Sequence, residues 1–165
     1  MAIYRKTATL LLLIMGLNSC ATTKSNEFTS LKIYDIGDLS QLIKLNDRPI
    51  AVFIHADWCN YCRNMEQTTF KDDSVMKKLN EEFYFISFDG ESEDEVRYQD
   101  KTYRYIPHGT RSGTHELATE LATIDDRVSY PTFLIIDADG ETPIRYNTFL
   151  SASAMTDTLT TAINN

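Results

Sequence analysis

Cys59 and Cys62 stand three positions apart in the run Trp58-Cys59-Asn60-Tyr61-Cys62. Two thiols at that spacing can cycle between a dithiol and a disulfide, a two-electron couple. The flanking pattern says where they sit. Ile50-Ala51-Val52-Phe53-Ile54 is a continuous apolar run, as expected for a strand buried on both faces. Cys62 to Asn80 reads as helix, with Met65, Phe70, Val75, Met76 and Leu79 as packing residues and a break at Asp72 or Asp73. The pair therefore falls at a strand-to-helix junction. The first turn of a helix leaves amides unpaired and carries positive partial charge. A thiolate there is stabilised, and thiolate is the species that attacks a disulfide. This reading makes Cys59 the exposed nucleophile. Cys62, one turn on and on the same face, resolves the mixed disulfide.

Other chemistries use the same spacing. A closed zinc site needs four ligands. Beyond the pair the chain offers only His55, His108 and His115 besides Cys20, with no second cysteine pair. A structural disulfide closing so short a loop removes little unfolded-state entropy. The expectation is thus a redox pair with no metal and no cofactor. A thiol-based copper chaperone or a redox sensor is the alternative.

The elements that must position the pair follow from periodicity. Asp38 to Leu45 has helical spacing, with Asp38 as a candidate cap. Phe83 to Phe88 is a second apolar strand. Asp89 to Gly113 is long, charged and tyrosine-rich without a period, as functional or disordered loops are. Its Tyr98, Tyr103, Tyr105, His108 and Arg111 suit either partner recognition or covering a sheet end. Thr114 to Thr123 reads as a short helix capped by Thr114. His115 on it is expected to be packed or solvated. Thr132 to Ile136 is a third strand. Asp139-Gly140 is a hairpin turn, Pro143 to Phe149 the returning strand, and Ser151 to Ile163 a closing helix. Alternating strands and helices imply a mixed, mostly parallel sheet with helices on both faces.

The 165 residues are 42% hydrophobic and 24% charged, suiting one domain plus a leader. The formal charge of -8 argues against nucleic acid. Arg5 and Lys6 precede the uncharged, leucine-rich run Thr7 to Leu17, the pattern of an export signal. Leu17-Asn18-Ser19-Cys20 follows and resembles a bacterial lipobox, with Asn18 in place of the usual small residue. The resemblance implies a signal peptide over 1–19 and a lipidated Cys20. Residues 20–30 then form a tether and 31–165 the folded domain, with an insertion around 90–113. Cleavage would take the charge from -8 to -10, because it removes Arg5 and Lys6 and no acid.

The run Ala56-Asp57-Trp58-Cys59-Asn60-Tyr61-Cys62-Arg63-Asn64-Met65-Glu66, continuing to Thr69-Phe70-Lys71-Asp72, resembles the thioredoxin superfamily. It most resembles the C-terminal thioredoxin-like domain of periplasmic thiol:disulfide interchange proteins. The resemblance implies a thioredoxin-like three-layer α/β sandwich. Tyr130-Pro131-Thr132 matches the position of the family's cis-proline. By that match Pro131 faces the cysteines, and the backbone of Tyr130 pairs with the peptide around a substrate disulfide. Trp58 would shield the thiol pair and line the substrate surface, with Asp57 a solvated neighbour. The partners implied are disulfide-containing proteins and an upstream thiol donor, met outside the cytoplasm by a lipid-anchored, monomeric protein.

Three departures stand out. Phe53 occupies the place of the usual buried aspartate, six residues before the first cysteine. An apolar residue near Phe85 replaces the usual lysine. Asn60-Tyr61 replaces Gly-Pro between the cysteines, so redox direction does not carry over. Glu66 matches an acidic residue four positions after the second cysteine. It is expected to help accept the proton of Cys62.

Overall fold

A computed structural model describes residues 30–164, apart from positions 46, 47, 111 and 138. The expected signal peptide and Cys20 lie outside the described residues, as does Arg111.

The strand Ile50–His55 (β1) follows a short helix, Leu39–Leu45 (α1). The helices Asn60–Gln67 (α2) and Asp73–Glu82 (α3) lead to the strand Tyr84–Asp89 (β2). The break expected at Asp72 is present. A 3-10 turn over Thr69–Lys71 separates the helices, and the Asp72 carboxylate accepts from the Ser74 and Val75 amides to start α3. Asp38 does not cap α1. A 3-10 turn over Ile36–Asp38 precedes that helix and moves the first free amide upstream, where Asp35 accepts from Gly37 N–H at 2.7 Å.

The described residues of the 90–113 region carry regular structure. They form two hairpins, Val96–Tyr98 (β3) with Lys101–Tyr103 (β4), and Tyr105–Pro107 (β5) with Gly113–His115 (β6). Strands of three residues are too short to show a period, so sequence pattern missed them. Tyr98 and Tyr103 are buried in the core rather than presented to a partner. Burial, and then the hydrogen bond to Glu120, push the Tyr103 phenol up to about 12. Glu116–Ala122 (α4) follows, then a small hairpin, Thr123–Ile124 (β7) with Arg127–Val128 (β8). The chain ends with Thr132–Ile136 (β9), Ile144–Tyr146 (β10) and Ala152–Asn164 (α5). The returning strand is shorter than expected, three residues within 143–149. Its turn runs through Gly140, whose φ of +81° suits glycine.

The central sheet has the order β10-β9-β1-β2. It is mixed, but only β1 and β2 are parallel. The expectation of mostly parallel pairing needs that correction. The crossover through α2 and α3 makes the first pair parallel, whereas the path through the insertion and α4 brings β9 back in the opposite direction. Alternation along β1 splits the core. Ile50, Val52 and Ile54 face α1, α4 and the insertion. Ala51 and Phe53 face α2, α3 and α5, in the cluster that also contains both cysteines.

His115, not Thr114, caps α4: both lie in β6, but His115 is its last residue, and its ring reaches the Leu117 amide. The side chain is fully buried. Its Nδ1 accepts from Leu117 N–H at 3.1 Å, so Nε2 carries the hydrogen and donates to the Asp94 carbonyl at 3.0 Å. Burial pushes its pKa below 6.5, more strongly than the Asp94 hydrogen bond and nearby acids raise it. The unfolded chain therefore takes up this proton first. The stability that His115 contributes is full above the unfolded pKa and is lost as pH falls through the lowered one. Urea titrations of wild type and His115→Gln across pH 7.5 to 5 test this. The gap between them, about 1–2 kcal/mol at neutral pH for a lost cap, should shrink with acidification. A constant gap would refute it.

Candidate active site at the Cys59–Cys62 pair

β1, buried from Ile50 to Ile54, delivers the chain to its C-terminal end at the half-buried His55. The next turn is closed by Cys59 N–H donating to the Ala56 carbonyl at 3.0 Å. Cys59 is then the N-cap of α2, with extended backbone (φ -76°, ψ 104°). Its sulfur accepts from the Cys62 amide at 3.1 Å. The expected junction is therefore present, and one of the helix's free amides points at the sulfur. Arg63 reinforces the turn, donating to the Asp57 carbonyl and the Asn60 side-chain oxygen.

Cys59 and Cys62 are joined as a disulfide, with Cα atoms 5.2 Å apart. Cys59 is 4% exposed, not open as expected, and Cys62 is 1% exposed. In the oxidised form each sulfur is covered by its bonded partner. The neighbours Trp58 and Tyr61 are 63% and 66% exposed, so the pair lies under a rim of solvent-facing aromatic surface.

The Tyr130-Pro131 peptide bond is cis, as the family match implies. Tyr130 meets Trp58 edge-on, ring centroids 5.9 Å apart. Its hydroxyl is enclosed without a hydrogen-bond partner among the described residues. Burial, followed by the charges of Glu91 and Asp89, raises its pKa strongly. The Trp58 indole N–H donates to Glu91 at 2.9 Å. Phe53 lies where an acid was missing from the sequence pattern, packed edge-on against Phe70, which in turn meets Phe85. Glu66 is partly exposed on α2, its carboxylate 4.0 Å from His55 Nδ1. Asp57 is exposed, as is His108, which lies in the turn of the β5–β6 hairpin. Among the described residues no three His, Cys, Asp or Glu side chains converge in a metal-holding group.

Sequence reasoning missed Gly90 and Glu91. Gly90 N–H donates to the His55 carbonyl, and Gly90 C=O accepts from His115 N–H, both at 2.8 Å. One residue thus links the end of β1, four positions before Cys59, to the insertion. The Asp89-Gly90 dipeptide was visible as a turn signal, but nothing in it named the partners.

Comparison with known proteins agrees with this geometry. The model of the thioredoxin-like domain family matches residues 38–163. The chain belongs to that family. Over 66 residues, 39% of its length, it is 35% identical to the thiol:disulfide interchange protein DsbD of Escherichia coli K12. It is 31% identical over 67 residues to DsbD of Vibrio vulnificus. In both cases the match spans only 11% of the relative's length. Among solved structures, a DsbH oxidoreductase superposes with a TM-score of 0.60 at 16% identity, covering 88% of this chain and 92% of that one. A thioredoxin from Thermus thermophilus gives 0.57 at 20% identity, covering 81% and 88%. The chain therefore has the thioredoxin fold and the CxxC pair of its disulfide-exchanging homologues.

Gly90 provides a test of how the rim is held. A Cβ there would lie 2.2 Å from the Tyr130 hydroxyl oxygen, which is itself buried. Gly90→Ala should cost about 1–3 kcal/mol of stability, as overpacking does. It should also shift the emission of Trp58, the sole tryptophan of the chain. Unchanged urea midpoint and unchanged emission would show that Tyr130 yields freely.

Proposed function

We propose that this protein is a membrane-tethered thiol:disulfide oxidoreductase that reduces protein disulfides outside the cytoplasm. The observation that carries the reading is a Cys59–Cys62 disulfide capping α2 in a chain whose Tyr130-Pro131 bond is cis. The export pattern at the N-terminus supports the compartment, one in which disulfides persist.

In the reduced protein, Cys59 thiolate attacks one sulfur of a partner disulfide. A Cys59–partner disulfide forms, and the partner's other sulfur leaves as thiolate. Cys62, deprotonated, then attacks Cys59 Sγ. The Cys59–Cys62 bond forms and the second partner sulfur leaves with the electron pair. Two electrons have moved to the partner, and the two protons lost by the dithiol match the two gained by the partner's thiols. An upstream dithiol donor reverses the sequence and restores the pair. Glu66, one helical turn beyond Cys62, helps take up the Cys62 proton. Trp58 and the Tyr130-Pro131 backbone hold the partner peptide, and lipid on Cys20 keeps the reaction at the membrane.

Cys59→Ser should abolish reduction of a model protein disulfide, while Cys62→Ser should accumulate a mixed disulfide with its partner. Full activity in Cys59→Ser would sink the proposal. Direction is read from the potential of the couple: about -270 mV marks a reductase, about -120 mV an oxidant. Cys20→Ala should lose its lipid label and move from the membrane to the soluble fraction, because stable anchoring needs more than one acyl chain. Retention of both would refute the tether.

A further inference from the structure

The run from Asp89 to Glu95 holds five carboxylates and no base. It begins beside the dithiol, because Asp89 ends β2 in register with His55, the last residue of β1. Gly90 N–H ties it to the His55 carbonyl at 2.8 Å. The Glu91 carboxylate then reaches the residue before Cys59, accepting from the Trp58 indole N–H at 2.9 Å. Glu93, two residues on, is exposed, and so is Asp57, the residue before Trp58. The negative field extends to Tyr130, whose phenol keeps its proton through burial first, and then through the charges of Glu91 and Asp89. Cations meet part of this charge. Arg104 pairs with Glu95 at 2.7 Å, and Arg63 donates from α2 to the Asp57 carbonyl. Among the described residues, Asp57, Asp89, Glu91 and Glu93 form no ion pair.

A second feature of the rim favours the same kind of ligand. Trp58 and Tyr61, each next to a cysteine, are 63% and 66% exposed. Open aromatic faces attract guanidinium and ammonium groups, indole most strongly. We propose that this rim selects partner disulfides flanked by arginine or lysine, with Glu91 and Glu93 setting the preference. The proposal rests on the dithiol reading and names its substrate class.

The exchange keeps the balance given above. Two electrons pass to the partner, the Cys59–Cys62 bond forms, and the partner leaves as a dithiol. During the first attack, negative charge is shared by Cys59, the attacked sulfur and the leaving sulfur. The carboxylates around Trp58 oppose that charge. A cation beside the partner's cysteine offsets it and meets both the carboxylates and the aromatic faces. It also lowers the pKa of the departing thiol, and a thiol of lower pKa leaves faster. An anionic flank is repelled by the same carboxylates and holds its leaving sulfur more tightly.

The test uses the reduced full chain and two peptides, each closed by one internal disulfide. They differ only in the residues flanking their cysteines, arginine in one and glutamate in the other. Oxidation of Cys59 and Cys62 is followed by acid quenching, alkylation and mass mapping. Each rate is divided by the rate at which dithiothreitol reduces the same peptide in the same salt, which removes reactivity intrinsic to the peptides. At low salt the normalised ratio should favour the arginine peptide about tenfold or more, as focused fields of one sign do. At about 1 M salt, where the Debye length is about 3 Å, it should fall below about threefold. Glu91→Gln/Glu93→Gln should lower the low-salt ratio about threefold, and an amide oxygen in place of the Glu91 carboxylate can still accept from Trp58. A ratio cancels any general change in Cys59 reactivity. Glu81→Gln/Glu82→Gln removes the same net charge at the end of α3, at the opposite end of β2 from Asp89. It should leave the ratio within about twofold of wild type. The wild-type salt series decides alone if the Glu91→Gln/Glu93→Gln protein folds poorly. A ratio near unity at low salt, or an equal fall in both double variants, would overturn the selection. Reduction of neither peptide would defeat the functional reading, and the selection with it.

Discussion

Ile50 to Ile54 of β1 are enclosed on both faces, none more than 1% exposed. The strand is central in the sheet, parallel to β2 on one side and antiparallel to β9 on the other. Side chains of that size contribute roughly 1.5–3 kcal/mol each when removed from water. Sliding β1 by one residue would exchange its two faces and lose the fit on both. That register sets the place of His55, the turn closed at Ala56, and Cys59 at the first free amides of α2. The dithiol is positioned by the burial of a strand that contains no cysteine.

The same burial accounts for the chemistry beneath the pair. Phe53 takes its place among the rings of Phe70 and Phe85. A carboxylate in that packing would be desolvated without a partner, which is costly. Ionisable groups instead stand at the margin, where His55 and Glu66 reach solvent. Charge stands at the edge of the cysteines' packing cluster rather than beneath it, which keeps the core intact.

The insertion is part of this site rather than an appendage. Tyr98 and Tyr103 extend the core on the far face of the sheet. Gly90 accepts from the insertion at His115 and donates to β1 at His55. Next to it, Glu91 holds the Trp58 indole, which lies edge-on against Tyr130. The residues flanking Cys59 are thereby tied to a buried histidine cap more than fifty positions away in sequence. The His115 amide lies two backbone hydrogen bonds from the end of β1, through Gly90.

Pattern alone revealed much of this protein. The apolar run at Ile50–Ile54 announced a buried strand, the cysteine spacing announced redox chemistry, and Asp72 announced the break between α2 and α3. Each is a local signal, carried by neighbours in the chain. Pairing direction within the sheet, the short hairpins of the insertion, and the His115 cap were decided by contacts distant in sequence. Three-residue strands have no period to read, and a histidine before a helix is an ordinary surface residue until the fold encloses it. The same division holds at the dithiol. The sequence by itself determined that two thiols stand one turn apart at a helix start, because spacing and helical geometry suffice for that. Only the tertiary structure decided that Cys59 is covered when oxidised, that Gly90 links its strand to the insertion, and that His55 faces Glu66. Those facts depend on which surfaces the closed core brings together.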